Sequence, residues 1–576
     1  MFYPSLKRKA VRKKVTSVFR GLDMRLRGAD GAFTDMENLS GGCYPMLGVR
    51  NKRSVSAHLS APGGLIEKDA LAWVDGGTLY YNGLPTPVTD LAPGEKRLVS
   101  MGAYICIFPD KVFYNTADPA DYGSMEASWS YTGRVSYTLC SAQGEDYEDV
   151  TESEYEPDAP EAGALWLDTG EGALCRWDAA SEQWISIESV YAKLTFTTQG
   201  QLPEKFSLYD GVSVAGAHFE GLNGSKIIYG IGGGESESDY IVLVSEPVSP
   251  GHFDGGSITI KRTVPETDYV CQCRNRLWGC RYGNDGAGNI NELYACALGD
   301  FKNWNQFMGL STDSWRASVG SDGVWTGAVN YLGTPIFFKE NCLHRISVSA
   351  AGAHQVDETV CRGVEKGSEK SLAVVNETLL YKSRSDICAY QGGFPESVSA
   401  ALGGRRYSHA AAGVLGQKYY VSMLDEKNAP SLFVYDMAHR LWYREDGLRA
   451  ECFARVDDEL FCIADNRLIA LTGGAGETEK TVKWYAESGA LGLEYTGEKY
   501  ISRLILRALL GCGSVLELFT EYDSSGVWEF AGRVHRHSLG SIEIPLRVRR
   551  CDHMRIKLAG EGEMKLVSLT LELTEG

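Results

Sequence analysis

Cys271-x-Cys273, with Cys280 on what reads as the returning strand of a hairpin, brings three thiols to a place where a soft metal could sit. A strand puts residues i and i+2 on one face, so Cys271 and Cys273 project together. Thiolate zinc sites add a second Cys-x-x-Cys or paired His; neither is present, so packed core thiols are the favoured reading. Gly230-Ile-Gly-Gly-Gly-Glu-Ser follows a strand, as a phosphate-cradling loop should. No helix pattern or Gly-Lys-Ser/Thr comes after it, and Glu235, Glu237 and Asp239 would repel phosphate, so a hairpin tip is expected. His409, His535 and His537 are scattered and have no nucleophile motif beside them, and the chain has no Gly-x-Ser-x-Gly elbow. A glycosidase would need two carboxylates at a set separation. Asp313, Asp322, Asp386 and Asp446 are available, but their spacing does not pair them. The Asp box Ser-x-Asp-x-Gly-x-x-Trp is missed by both Ser321-Asp-Gly-Val-Trp325 and Asp523-Ser-Ser-Gly-Val-Trp528, which ordinary turn chemistry explains. No catalytic, cofactor-binding or metal residue is assigned, no cofactor is expected, and the chain reads as a non-enzyme.

The elements that would position such groups are short strands between tight turns. In residues 431–471, Phe433-Val434-Tyr435, Leu441-Trp442-Tyr443, residues 452–456 and Leu460-Phe461-Cys462-Ile463 alternate with Asp, Asn and Gly punctuation. Aromatic and β-branched runs bounded this way are strand and hairpin signals, and four strands in about forty residues is the size of one propeller blade. Similar hairpins turn near residues 75, 110, 275, 333, 376, 416 and 457. The later ones recur at blade spacing, and the long gap between 110 and 275 requires an insertion. Each hairpin has a single apolar face, so the units must stack to share a core.

The fold expected is all-β: a six- or seven-bladed β-propeller with an inserted β-rich domain and a C-terminal β-sandwich. Its parts are an N-terminal arm and lead-in (1–60), the first blades (61–133), the insertion (134–262), the remaining blades (263–478) and the sandwich (479–576). In the arm, Lys7, Arg8, Lys9, Arg12, Lys13, Lys14 and Arg20 form a basic stretch, read as a solvated tail or as an arm for an acidic neighbour or packaged DNA. Residues 35–50 read as a lead-in strand feeding the first blade. Residues 145–161 carry nine acidic and no basic residues and read as a solvated linker. The following meander has Trp166, Trp177 and Trp184 as a mini-core. At the end of the chain, Leu566, Ser568, Thr570 and Glu572 share one strand face, opposite a more apolar set.

The 576 residues exceed one small core, so several domains are expected. Sixty-five Gly, 30 Tyr and 12 Trp suit turn-dense β structure. A net charge of −18 argues against a general nucleic-acid-binding surface. No apolar run is long enough to span a membrane, and no signal core follows the basic N-terminus. The 15 Cys lie mostly inside strand patterns, as with Cys106, Cys280, Cys342 and Cys462, and read as reduced thiols of a protein made in a cytoplasm.

Three stretches carry a family resemblance. Residues 35–50, with Met36-Glu-Asn-Leu39 and Tyr44-Pro-Met-Leu47 ahead of Arg50, are similar to a lead-in of phage structural proteins. Phe433-Val-Tyr-Asp436 with Leu441-Trp-Tyr-Arg444 resembles a late-blade segment, and residues 551–573 resemble closing sandwich strands. Together they resemble the tail nozzle or packaged-DNA stabilisation proteins of short-tailed bacteriophages. Residues 163–187 are similar to short Trp-rich repeats of phage tail and fibre proteins. The resemblance implies a virion tail protein made in the host bacterial cytoplasm and assembled as a ring of six copies. The ring would sit under a portal or head–tail adaptor protein, contact other tail components, retain packaged DNA and pass it without sequence specificity during ejection. The 134–262 insertion departs from the pattern. Two alternatives stay open: a peripheral tail protein binding a host receptor or glycan through the insertion, and a propeller glycosidase.

Overall fold

Two-residue loops with both residues at positive φ twist in the sense that antiparallel strands require. Such loops recur at Arg274-Asn275, Asn376-Glu377 and Asp465-Asn466. The computed structural model describes residues 11–26, 28–286, 288–349, 352–474, 476–535, 537–547 and 549–575. Nearly every element in it is a strand, and helix is confined, among these residues, to the single 3₁₀ turns Glu220–Leu222, Glu369–Ser371 and Ala400–Leu402.

Six four-stranded antiparallel meanders and one five-stranded sheet form a propeller-like ring. Their first strands are Pro62–Lys68, Arg97–Met101, Tyr269–Cys273, Gly327–Tyr331, Ala373–Val375, Tyr407–Leu415 and Cys452–Val456. Each first strand neighbours the next sheet, the fourth through the 3₁₀ turn Glu369–Ser371 that leads into the fifth, and Cys452–Val456 returns against Pro62–Lys68, closing the cycle. Between the fourth and fifth sheets the approach is close: a Cβ on Gly327 would lie 2.7 Å from the Leu372 side chain. Apolar side chains fill the space between neighbouring sheets, such as Cys106, Phe113, Leu277 and Phe301 between the second and third.

The ring corrects two expectations. Residues 431–471 are not one unit: Pro430–Asp436 and Leu441–Arg444 end the sixth sheet, and Cys452–Val456 begins the seventh. Local hairpin signals are the same within a sheet and across the link between sheets, so the pattern could not mark the boundary. The lead-in also does not feed the first sheet. Ser54–His58 pairs with Arg467–Ala470 and supplies the fourth strand of the seventh sheet, so the first and last sheets are fastened by the chain's own N-terminal part.

Between the second and third sheets the chain leaves the ring. Ala127–Cys140, Val190–Phe196, Glu237–Ser245, Gly224–Gly234, Gly211–Ala215 and Gly251–Arg262 close, in that order, into a six-stranded barrel around Tyr137, Leu194, Phe196, Ile241 and Ile260. Its first and last strands pair at Ala127 and Arg262, so the chain exits and re-enters at adjacent points. A smaller sheet is nested inside the barrel sequence. The acidic stretch is not wholly linker: Val150–Ser153 runs parallel to Leu165–Asp168, which continues through Ala173–Asp178 to Gln183–Ser186.

The terminal unit packs a five-stranded sheet against a seven-stranded one, and the N-terminal segment contributes to both. Phe33–Glu37 edges the five-stranded sheet beside Lys483–Ser488. Val11–Thr16 and Leu47–Val49 both pair with Met564–Glu575 in the other. Lys13 reaches Glu572 at 2.8 Å, and Lys14 reaches Asp30 and Glu494, each at 3.1 Å; this part of the basic arm is a paired strand, not a solvated tail. Lys7, Arg8 and Lys9 lie outside the described residues. Where the last strand pairs with Lys499–Leu510, the register shifts between Arg507 and Ala508, opposite Ser568 and Leu566. Leu566 and Leu569 are therefore both buried, which strict alternation would forbid.

Candidate functional site

The first strands of the seven sheets surround an axis, and the side chains at its two ends are where a ring of this kind could act. At one end, Glu95 precedes the first strand of the second sheet and Lys370 precedes that of the fifth. These sheets stand as far apart as a seven-membered cycle allows, yet the Lys370 Nζ lies 3.2 Å from a Glu95 carboxylate oxygen. Tyr269 of the third sheet lies nearby under the Arg97 guanidinium, 4.4 Å from its ring centre, and burial raises its phenol pKa. Cys452 of the seventh sheet joins the group; burial pushes its thiol up to about 11 against the lowering pull of Lys370. Side chains from four sheets thus crowd one end of the axis, and the Lys370–Glu95 ion pair reaches across it.

At the other end, Leu65, Ile66, Glu67, Phe453, Ala454, Arg455 and Asp457 line a cavity of about 600 Å³ between the first and seventh sheets. Glu67 and Asp457 are both exposed. A Glu67 carboxylate oxygen accepts from the Asp69 amide at 3.1 Å, and Asp457 sits in a turn at φ 52°. A glycosidase acid sits in an apolar enclosure, and these exposed carboxylates have none.

The acids singled out in the sequence go elsewhere. Asp313 is buried in a turn, accepting from the amides of Met308 at 2.5 Å and Leu310 at 3.0 Å. Asp322 is exposed on the loop before the fourth sheet. Asp386 is bound by Arg362. Asp446 pairs with Arg53 at 2.6 Å, within a buried network that also joins Arg53 to Glu445 at 2.7 Å and Arg50 to Glu479 at 2.7 Å. Asp523 accepts the amides of Asp552 and His553, which places the second Asp-box look-alike in a turn.

Residues 224–245 form the expected hairpin, closing at Gly234 and Glu237. Asp239, however, does not face outward; it is buried and accepts the amides of Gly200, Gln201 and Leu202. Cys271, Cys273 and Cys280 are buried with Trp278 and Leu293, and burial pushes the Cys273 thiol up to about 11. All fifteen cysteines are free. His409 lies in the sixth sheet at φ 51°, His537 contacts the Gly511 carbonyl at 3.0 Å, and His535 is exposed; the three are not brought together. Trp184 meets both Trp166 and Trp177 edge-on at 5.4 Å, and Trp166 is buried, so these indoles do form a small core.

No family model matches the chain. No curated protein matches it either. Solved structures give only distant likenesses. An exo-β-1,3-galactanase from Phanerochaete chrysosporium, crystallised with galactose, is 8% identical with a TM-score of 0.21, over 52% of this chain and 94% of that one. A puromycin hydrolase is 10% identical with a TM-score of 0.22, over 71% and 59%. The endosialidase of phage phi92 is 8% identical with a TM-score of 0.18, over 78% and 59%. At these scores no activity transfers. Among the described residues no helix is long and apolar enough to cross a membrane.

The axial bridge and the Arg53 network went unnoticed in the sequence, since their partners come from distant turns. Charged residues placed just before some first strands, as Glu95 and Lys370 are, were the available signal.

Proposed function

We propose that this chain is a structural tail protein of a short-tailed bacteriophage, of the nozzle or packaged-DNA stabilisation type, and that its seven sheets are the blades of a seven-bladed propeller. One observation carries the reading. The three stretches that resemble that family meet at a single junction: the Asn38 amide donates to the Glu445 carbonyl, Arg444 lies 3.0 Å from Asp35, and Leu47 pairs with Leu566. A ring fastened by its own N-terminal strand, and joined through that segment to a double sheet, is a stiff body suited to bearing load. Such a body needs no chemistry, and the solvated or ion-paired acids favour a non-enzyme.

The Glu95–Lys370 bridge bears on how DNA would pass. A duplex cannot thread an axis that one lysine spans, so the channel would run between copies arranged head-to-tail in a closed ring. Tail neighbours would be met by the outer faces and the barrel. The rival reading, glycan or receptor binding through the barrel and its Trp-rich sheet, has less support because Trp166 is buried within its own module.

Imaging of the assembled tail, together with the native mass of the purified chain mixed with portal protein, tests the reading. A coaxial ring next to the portal is expected. A monomer on the tail periphery, or glycan capture by residues 127–262, would replace it with the rival.

A further inference from the structure

Outside the axis, the fourth sheet gathers donors of a different kind. Cys342 and His344 lie two residues apart on Cys342–Val348 and share a face. Across the ladder His344 pairs directly with Glu358 on His354–Val360. One donor atom from each of the three lies within 4.8 Å of the others. His344 is fully buried and Cys342 is 5% exposed, while the Glu358 side chain is 41% exposed and opens the group to solvent. His344 Nε2 lies 3.5 Å from a Glu358 carboxylate oxygen and 3.0 Å from Ser321 Oγ. In a zinc tetrahedron with nitrogen and oxygen donors, neighbouring ligand atoms stand roughly 3.4 Å apart. The His344–Glu358 spacing matches that of two neighbouring zinc ligands.

We infer that Cys342, His344 and Glu358 form a binding site for a zinc-type divalent cation, with Ser321 Oγ or a water as the fourth donor. A thiolate, an imidazole and a carboxylate are the mixed set that a borderline-soft ion prefers over magnesium or calcium. Lys339 is a neighbouring cation whose charge opposes an ion. Its ammonium is turned to the Ser321 carbonyl at 2.6 Å and Asn291 Oδ1 at 3.1 Å, and it packs over the Trp325 ring. On binding, the Cys342 thiol proton leaves to solvent and the thiolate ligates. The ion would clip the two outer strands of the fourth sheet together, a role separate from any action at the axis.

The test uses the full chain, stripped with a chelator and titrated with cobalt(II). One equivalent should bind with an intense near-ultraviolet thiolate-to-cobalt band that zinc bleaches. Cys342→Ser should abolish the band, while Cys361→Ser, at a neighbouring thiol, should keep it. Glu358→Gln alters an exposed side chain that cannot threaten the fold, and should weaken cobalt binding at least tenfold. Absence of stoichiometric uptake, a band retained in Cys342→Ser, or unchanged affinity in Glu358→Gln would overturn the site.

Discussion

Arg53 lies between two carboxylates, with its own side chain and that of Glu445 almost fully buried. Removing one member of such a group leaves the other charge without compensation, at a cost of about 3–5 kcal/mol. Arg53→Met should lower the urea midpoint accordingly, and adding Glu445→Gln should recover part of the loss. The buried thiols act in the alkaline range. Burial lifts Cys273, Cys452 and Cys551 from an ordinary 9.0 to about 11 in the folded chain. The unfolded chain therefore loses these protons first. The stability they contribute is complete below about pH 9 and is lost as the pH rises toward 11, so the urea midpoint should fall between pH 8 and pH 10.5. Cys512 is the exposed thiol, and a thiol reagent should show one fast phase on the native chain, absent in Cys512→Ser.

Among the elements, the barrel is the most separable. Because Ala127 and Arg262 face each other across one ladder, residues 127–262 can be replaced by a short glycine turn without stretching the ring. The shortened chain should keep a cooperative melt, at a lowered temperature because contacts such as that of the Gly211 amide with Asn303 Oδ1 (3.1 Å) are lost. Loss of all cooperative unfolding would mean that the ring depends on the barrel. Strands and turns were largely legible in the sequence, since Asn376, Gly416 and Asp457 announce their loops by residue type. Pairing between distant segments was not. Nothing local in Ser54–His58 points to Arg467–Ala470, and nothing in His344 points to Glu358. The bulge that buries both Leu566 and Leu569 is likewise set by the partner strand.

For the whole molecule, the closed axis separates two ways in which DNA would pass under the proposed tail role. Lys370 and Glu95 are 34% and 50% exposed, so reversing the lysine to glutamate should cost no more than about 1 kcal/mol. If DNA runs between copies, virions carrying Lys370→Glu should eject at the unaltered rate. A changed rate would place the path through the single ring.

The fastening of the seventh sheet by Ser54–His58 also governs timing. On the ribosome, Ser54–His58 emerges long before Arg467–Ala470 exists to receive it. At roughly 5–20 residues per second the wait is tens of seconds. Until then the toroid stays open and the oldest strands of the double sheet wait for their C-terminal partners. A nascent chain therefore cannot present a finished body to any partner until translation has released it.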